Sequence, residues 1–242
     1  MEPDEYRKMA AVEDAMWYYR ALHAHVQREL GRRLGGRPAR ILDAGCGSGG
    51  LIRRLAGAEP AWTWTGIDVS PLACALARKR CPADIREASV TALPFPDATF
   101  DAVVSADVLY HVEDDAAALR EMARVLRPGG VAVINVPAHR WLWSYHDVAT
   151  HSQRRYGRGE LREKMAAAGM VATRMTHWNM LPLPLVIVRR KLLPAPRSGS
   201  DVQLYPAPVE QAFRAAMAVE RAWLGAGGSL PLGSSILAVG MR

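Results

Sequence analysis

The sequence predicts an α/β fold: a mostly parallel sheet with helices packed on both faces. Short β-rich runs alternate with helical patterns from residue 40 onward, and that alternation is the signature of parallel sheets built from crossover units. The first run, 40–44, enters a glycine-rich loop that opens a helix. With 242 residues, 50% hydrophobic and 23% charged, the chain has the composition of one large domain, or of a domain with a small cap. That length buries a core without disulfide or metal staples.

The elements follow in order. Met16, Tyr19, Val26 and Leu30 recur at helical spacing and predict an amphipathic helix over 13–34. Gly35-Gly36-Arg37-Pro38 breaks it. Residues 40–44 form a first strand and 51–56 the start of the next helix. A β-rich run over 62–68 ends at Asp68. Ser70 and Pro71 supply an N-cap and a first-turn proline for a helix reaching about residue 80. Strands are expected over 84–90 and 100–106. Glu113-Asp114-Asp115 opens a helix that Arg124 and Arg127 close, a charge order that complements the helix dipole. Arg127-Pro128-Gly129-Gly130 reads as a turn before a strand over 131–136. A helix over 160–168, ended by Gly169, leads to a strand over 171–177. Val209, Phe213, Met217 and Leu224 share one face of a helix over 208–224, and 235–241 is the final strand. Ligands bind such sheets at the carboxyl ends of the strands, so the glycine loop, Asp68, Val90 and Asp107 gather on one edge.

Bulk features exclude several classes. Cys46, Cys74 and Cys81 show no metal-binding spacing, and their odd number argues against a disulfide framework; a reducing, cytoplasmic setting is expected. The acidic start, Met-Glu-Pro-Asp-Glu, lacks the features of a secretory signal. The longest apolar run, 181–188, is too short to span a bilayer, which takes roughly 20 residues. The net charge of +7 is uneven: residues 1–135 hold 17 basic and 18 acidic side chains, and 136–242 hold 14 and 6. A basic second half suits an anionic substrate, an anionic membrane surface or nucleic acid, or is simply a solvated face.

Gly45-x-Gly47-x-x-Gly50 fits a dinucleotide fingerprint, but Asp43 stands where a dinucleotide strand has an apolar residue. The loop also fits Asp-x-Gly-x-Gly-x-Gly. Downstream come Gly66-Ile67-Asp68-Val69-Ser70, Leu93-Pro94-Phe95, Phe100-Asp101 and Arg124-Val125-Leu126-Arg127-Pro128-Gly129-Gly130. In this order, over about residues 40–136, the blocks resemble the class I S-adenosylmethionine (SAM)-dependent methyltransferases of small-molecule type. The resemblance implies a Rossmann-like sheet of seven strands, the last antiparallel. It implies SAM as cofactor, S-adenosylhomocysteine (SAH) as product, and no metal. It also implies roles: Asp43 and the backbone of Gly45, Cys46, Gly47 and Gly49 hold the amino-acid part of SAM. Asp68 accepts the ribose hydroxyls, Val69 packs on adenine, and the Val90 N–H meets an adenine nitrogen. Ser89 stands where the family often has Asp. Ala106 and Asp107 lie near the methionine end. Trp17-Tyr18-Tyr19-Arg20 is similar to an aromatic-aromatic-x-Arg helix of a bacterial subgroup, which brings Tyr18 and Arg20 toward the cofactor. The same subgroup has a segment like 136–147 followed by Arg154-Arg155-Tyr156.

Methyl transfer from a sulfonium is an in-line displacement, so the protein chiefly aligns donor and acceptor. A hydroxyl or ammonium acceptor also needs a base. Candidates are His146, His111, His151 and Tyr110. His139, Trp141, Trp143, Tyr145, Arg154, Arg155 and Tyr156 are candidate acceptor contacts, the aromatics as an apolar wall and the arginines for an anionic group; packing of the cap is the plainer reading. The expected organisation is a single domain over 1–242. It comprises an N-terminal helical lid (1–36), a cofactor core (37–136), a substrate loop, helix and sixth strand (137–178), and an insert (179–232). Within the insert, 181–191 is a cap segment, a dimer contact or a peripheral membrane contact. The expected activity is methylation of O, N or C on a small-molecule or lipid- or sugar-linked metabolite by a monomer or homodimer. An RNA methyltransferase and a non-catalytic SAM-binding regulator are the alternatives; the absence of a separate RNA-binding module argues against nucleic acid.

Overall fold

The computed structural model describes residues 3–194 and 200–242. Its sheet has seven strands: β1 (Ala39–Ala44), β2 (Trp62–Asp68), β3 (Asp84–Glu87), β4 (Phe100–Ala106), β5 (Leu126–Pro137), β6 (Val171–Trp178) and β7 (Ser235–Met241). The order is β3-β2-β1-β4-β5-β7-β6. The β5–β7 and β6–β7 pairs are antiparallel and the others parallel. The strand order reverses beside β1, and a crevice opens between β1 and β4 at their carboxyl ends, where this topology places ligands.

Alternate residues feed two cores. Ile41, Val104, Val133 and Val239 point to one face and Leu42, Val103, Ile134 and Ala238 to the other. Helices α2 (Trp17–Leu34), α3 (Gly50–Ala58), α4 (Pro71–Arg80) and α9 (Ala207–Gly225) cover the first face. Helices α5 (Asp115–Val125) and α7 (Arg158–Ala167) cover the second. Strands buried on both faces read as continuous apolar runs, which is why this part of the sequence was legible.

Several boundaries differ from expectation, each for a tertiary reason. The helix expected over 13–34 begins only at Trp17, as α2, and a separate helix, α1 (Pro3–Val12), precedes it across a turn. Glu13 in that turn is drawn to Arg80 and Ser48, and the first N–H of α2, from Trp17, donates to Glu210 of α9 at 2.9 Å. β3 stops at Glu87 rather than residue 90, because its partner β2 ends at Asp68 and Ser89 turns the chain, accepting the Thr91 N–H. The Arg127–Gly130 segment lies within β5, where the pairing register with β4 shifts between Phe100 and Ala102. Residues 195–199 of the expected insert lie outside the described residues. Its remainder includes α8 (Leu183–Ile187), a π-helical turn over Val188–Leu192, and α9. A short helix, α6 (Tyr145–Ala149), follows β5. No helix among the described residues is long and apolar enough to cross a membrane.

Candidate active site

The glycine loop leaves β1 and wraps around the end of β2. The N–H groups of Gly45 and Cys46 donate to the Ile67 carbonyl at 2.9 and 2.7 Å. Gly47 has φ +52°, and its N–H donates to the Asp68 carboxylate at 3.0 Å. The Ser70 N–H donates to the same carboxylate at 2.9 Å, and the Tyr6 hydroxyl at 3.3 Å. A Cβ on Gly47 would lie 2.7 Å from the Met9 side chain, so α1 rests directly on the loop. Gly49 instead makes the left-handed N-cap of α3 against Ala77 and Cys81.

Tyr6, Met9, Gly45, Cys46, Gly47 and Asp68 border a cavity of about 760 Å³ that also takes in Asp43, Val69, Ser89, Val90, Ala106 and Asp107, whereas Gly49, expected at the cofactor, lies outside its lining. Val69 is 69% exposed on its rim, free to meet a flat ring. Acids dominate the buried polar lining. Burial pushes the Asp43 carboxyl up to about 8, with Asp68 and Glu13 adding like-charge repulsion, and no hydrogen bond from the described residues offsets it. Asp68 is also raised by burial, partly offset by its three donors. A buried, uncompensated carboxylate calls for a cation. SAM, with its sulfonium and ammonium, answers that need. Asp43 would hold the ammonium end, Asp68 the ribose hydroxyls in place of the Tyr6 contact, and Val69 the adenine. Among the described residues no group of three or more His, Cys, Asp or Glu is placed to hold a metal.

A second cavity, of about 260 Å³, adjoins the first, and Asp107 and Tyr110 border both. Asp107 has φ +60°. Its carboxylate accepts from Tyr18 Oη at 2.9 Å and Asn135 Nδ2 at 2.7 Å. Asn135 in turn accepts from Trp178 Nε1 at 2.7 Å, and Tyr18 stacks on Trp178 with ring centroids 5.0 Å apart. Burial raises Asp107 to about 6 despite both donors. The remaining walls come from the start of α2, from α6 and from the insert, including Leu185, Arg189, Arg190, Asp201, Tyr205 and Phe213.

The other expected site residues divide by position. His146 lines the second cavity, but its Nδ1 accepts the Asp201 N–H at 3.1 Å, leaving the neutral ring with its proton on Nε2. Burial and nearby Arg190 lower its pKa to about 3. His111 lines the first cavity. Its Nδ1 lies 3.4 Å from the His151 carbonyl, its Nε2 is buried with no partner among the described residues, and burial lowers its pKa to about 4. His151 is exposed and lines neither cavity. His139 stacks on His177 at 4.7 Å, and Trp141 is 51% exposed; neither they nor Trp143 border either cavity. Tyr145 donates to Asp201 at 2.6 Å and carries Arg189 over its ring at 5.1 Å. Arg155 is buried in a paired contact with Asp147, at 2.6 and 3.1 Å, at the chamber wall. Arg154 and Tyr156 both serve Asp115, at 3.1 and 2.7 Å, under α5. Arg20 lies outside both cavities.

Sequence reasoning missed Tyr6, Met9 and Glu13 of the N-terminal segment, Asn135, and the insert's contribution. Asn135 left a readable signal, as the one polar residue inside the apolar run 131–136.

With this geometry in hand, likenesses to known proteins gain meaning. Residues 42–134 match the family model described as "Methyltransferase domain". The "Probable S-adenosylmethionine-dependent methyltransferase" of Mycolicibacterium smegmatis is 38% identical over 126 residues, covering 52% of this chain and 47% of that protein. The malonyl-[acyl-carrier protein] O-methyltransferase of Pseudescherichia vulneris is 33% identical over 162 residues, covering 60% and 62%. The chain thus spans about half to three-fifths of the length of these curated relatives. In fold, it is similar to an S-adenosylmethionine-dependent methyltransferase from Mesorhizobium loti, with TM-score 0.62, 19% identity, and coverage of 95% and 100%. A chain from the complex of the Haloferax volcanii Trm112 methyltransferase activator with a methyltransferase gives TM-score 0.65, 22% identity, and coverage of 98% and 97%. A Rossmann-like sheet with its last strand antiparallel, a glycine loop between Asp43 and Asp68, and these matches define the class. Residues 42–134 thus match a methyltransferase domain, resemble probable SAM-dependent methyltransferases in sequence, and sit in a fold shared with SAM-dependent methyltransferases.

Proposed function

We propose that this protein transfers the methyl group of SAM to a small-molecule acceptor held in the chamber beside the cofactor cavity. The carrying observation is that the two cavities meet at Asp107 and Tyr110. Methyl transfer needs donor and acceptor in line across such a boundary, and little else from the protein. Residues 1–36 act as a lid, 37–136 as the cofactor core, 137–178 as the acceptor loop with its helix and strand, and 179–232 as the cap. The enclosing insert favours a small acceptor over RNA.

Asp107 is the best-placed base for an acceptor with a dissociable proton. It faces both cavities, and at neutral pH a carboxyl titrating near 6 is mostly ionised. His146 has spent its Nδ1 on the Asp201 N–H, so toward the chamber it donates. Arg189 also faces the chamber, and no carboxylate among the described residues pairs with it; it supports an anionic group on the acceptor.

Calorimetry tests the cofactor half of the proposal. A cation binding beside Asp43 favours its ionised form, so at pH 7 the complex forms with release of up to one proton. SAM affinity rises with pH until about 8, where Asp43 is already ionised. Asp43→Asn abolishes the release and weakens binding at least tenfold. Absence of SAM binding to the wild-type protein sinks the proposal. Transfer of labelled methyl to a small acceptor tests the rest.

A further inference from the structure

Beyond the chamber, the insert carries a second concavity of about 400 Å³, between α8 and the start of α9. Its lining is entirely leucine, proline, valine, alanine and phenylalanine. Leu185, Val209 and Phe213 belong to both concavities, with one side of each toward the acceptor chamber. Phe213 is held in place by stacking on Trp17, ring centroids 4.7 Å apart, with Tyr205 at its edge. The two concavities therefore lie back to back across these three side chains, with polar Asp107 and Tyr110 on the chamber side and a groove on the other where Leu181, Leu185 and Val209 are 46%, 60% and 39% exposed.

We propose that this groove binds the hydrocarbon chain of the methyl acceptor, so that the substrate is an amphiphile with its head at Asp107 and its tail between α8 and α9. The inference rests on the reading of the chamber as the acceptor site. A peptide or nucleotide laid in a groove with no hydrogen-bonding side chain would desolvate polar groups without return. A hydrocarbon chain has none to lose, and it removes the exposed leucine and valine surface from water. The three lining residues shared with the chamber select the acceptor's own chain, passing over their exposed rim, over a separate partner. Of the neighbouring cations, Arg190 is drawn inward to Asp201 at 2.8 Å, while Lys191 is exposed with its ammonium on the Trp143 carbonyl at 2.7 Å.

Butyl, hexyl and octyl 4-hydroxybenzoates, titrated into the full-length protein saturated with SAH, test the proposal. Affinity is expected to rise roughly threefold to fourfold per methylene. Ala212→Trp fills the groove from its exposed side and Leu181→Asp charges it; neither residue borders the chamber. Both variants are expected to flatten the chain-length response while the butyl ester still binds. A flat response in the wild-type protein, with the butyl ester bound, overturns the tail site and leaves the chamber reading intact. An unchanged response in both variants also overturns it. If no ester binds the SAH complex, the chamber reading falls and takes the tail site with it. Coverage of this face by phosphatidylglycerol vesicles or by a second copy, with ester affinity flat, assigns the groove elsewhere.

Discussion

Asp107 is held against two preferences. Its left-handed backbone costs a non-glycine residue of order 1–3 kcal/mol, and its carboxyl is buried. The surroundings enforce both: its N–H donates to the Asn135 carbonyl at 3.0 Å, and Tyr18 and Asn135 donate to the carboxylate. These donors favour the ionised form, while burial favours the neutral one and prevails. As a base, Asp107 must be ionised, so kcat/KM falls as pH drops through about 6. Tyr18→Phe removes a donor to the anion, so its acid limb moves to higher pH. Asp107→Asn lowers kcat by about 10²–10⁴-fold while the Kd for SAH stays within a few-fold. A pH profile for Tyr18→Phe that overlays the wild type would remove Asp107 from this role.

At the scale of elements, buried carboxylates of α9 do the joining. Glu210 accepts from Trp17 N at 2.9 Å and Tyr205 N at 3.2 Å. Glu220 accepts from Asn179 N at 2.7 Å and Leu181 N at 2.6 Å. Each satisfies backbone donors that no helix or sheet reaches. Removing such an acceptor leaves buried N–H groups unpaired. Glu220→Ala is expected to lower unfolding free energy by about 1–3 kcal/mol, read as a lower urea midpoint at unchanged slope. The same contacts explain what could and could not be read from sequence. The strands announce themselves through alternating and continuous apolar runs, and Asp43 and Asp68 through their place beside glycines. The break at Glu13, by contrast, depends on Arg80, 67 positions away, and the cap on α2 depends on Glu210, 193 positions away. Local patterning carries no trace of such partners. The aromatic segment after β5 reads as a pocket wall by composition, yet Trp141 faces solvent and Tyr156 the core. The acceptor wall is assembled largely from an insert whose residues look like ordinary amphipathic helix.

On the scale of the molecule, one run of chain touches everything. α1 places Tyr6 on Asp68 and Met9 over Gly47; Glu13 follows at the cofactor cavity, and Met16 and Trp17 then border the acceptor chamber. The door to one compartment is thus the wall of the next. If α1 acts as the proposed lid, a cofactor passing it disturbs the room beside it, and an acceptor in place is expected to hold that door shut. On the proposed function, turnover is expected to be sequential: SAM enters first, the methylated product departs before SAH, and SAH leaves last. Steady-state inhibition would show it, with SAH competitive against SAM and the methylated product noncompetitive against both substrates, whereas in a random order the methylated product competes with the acceptor.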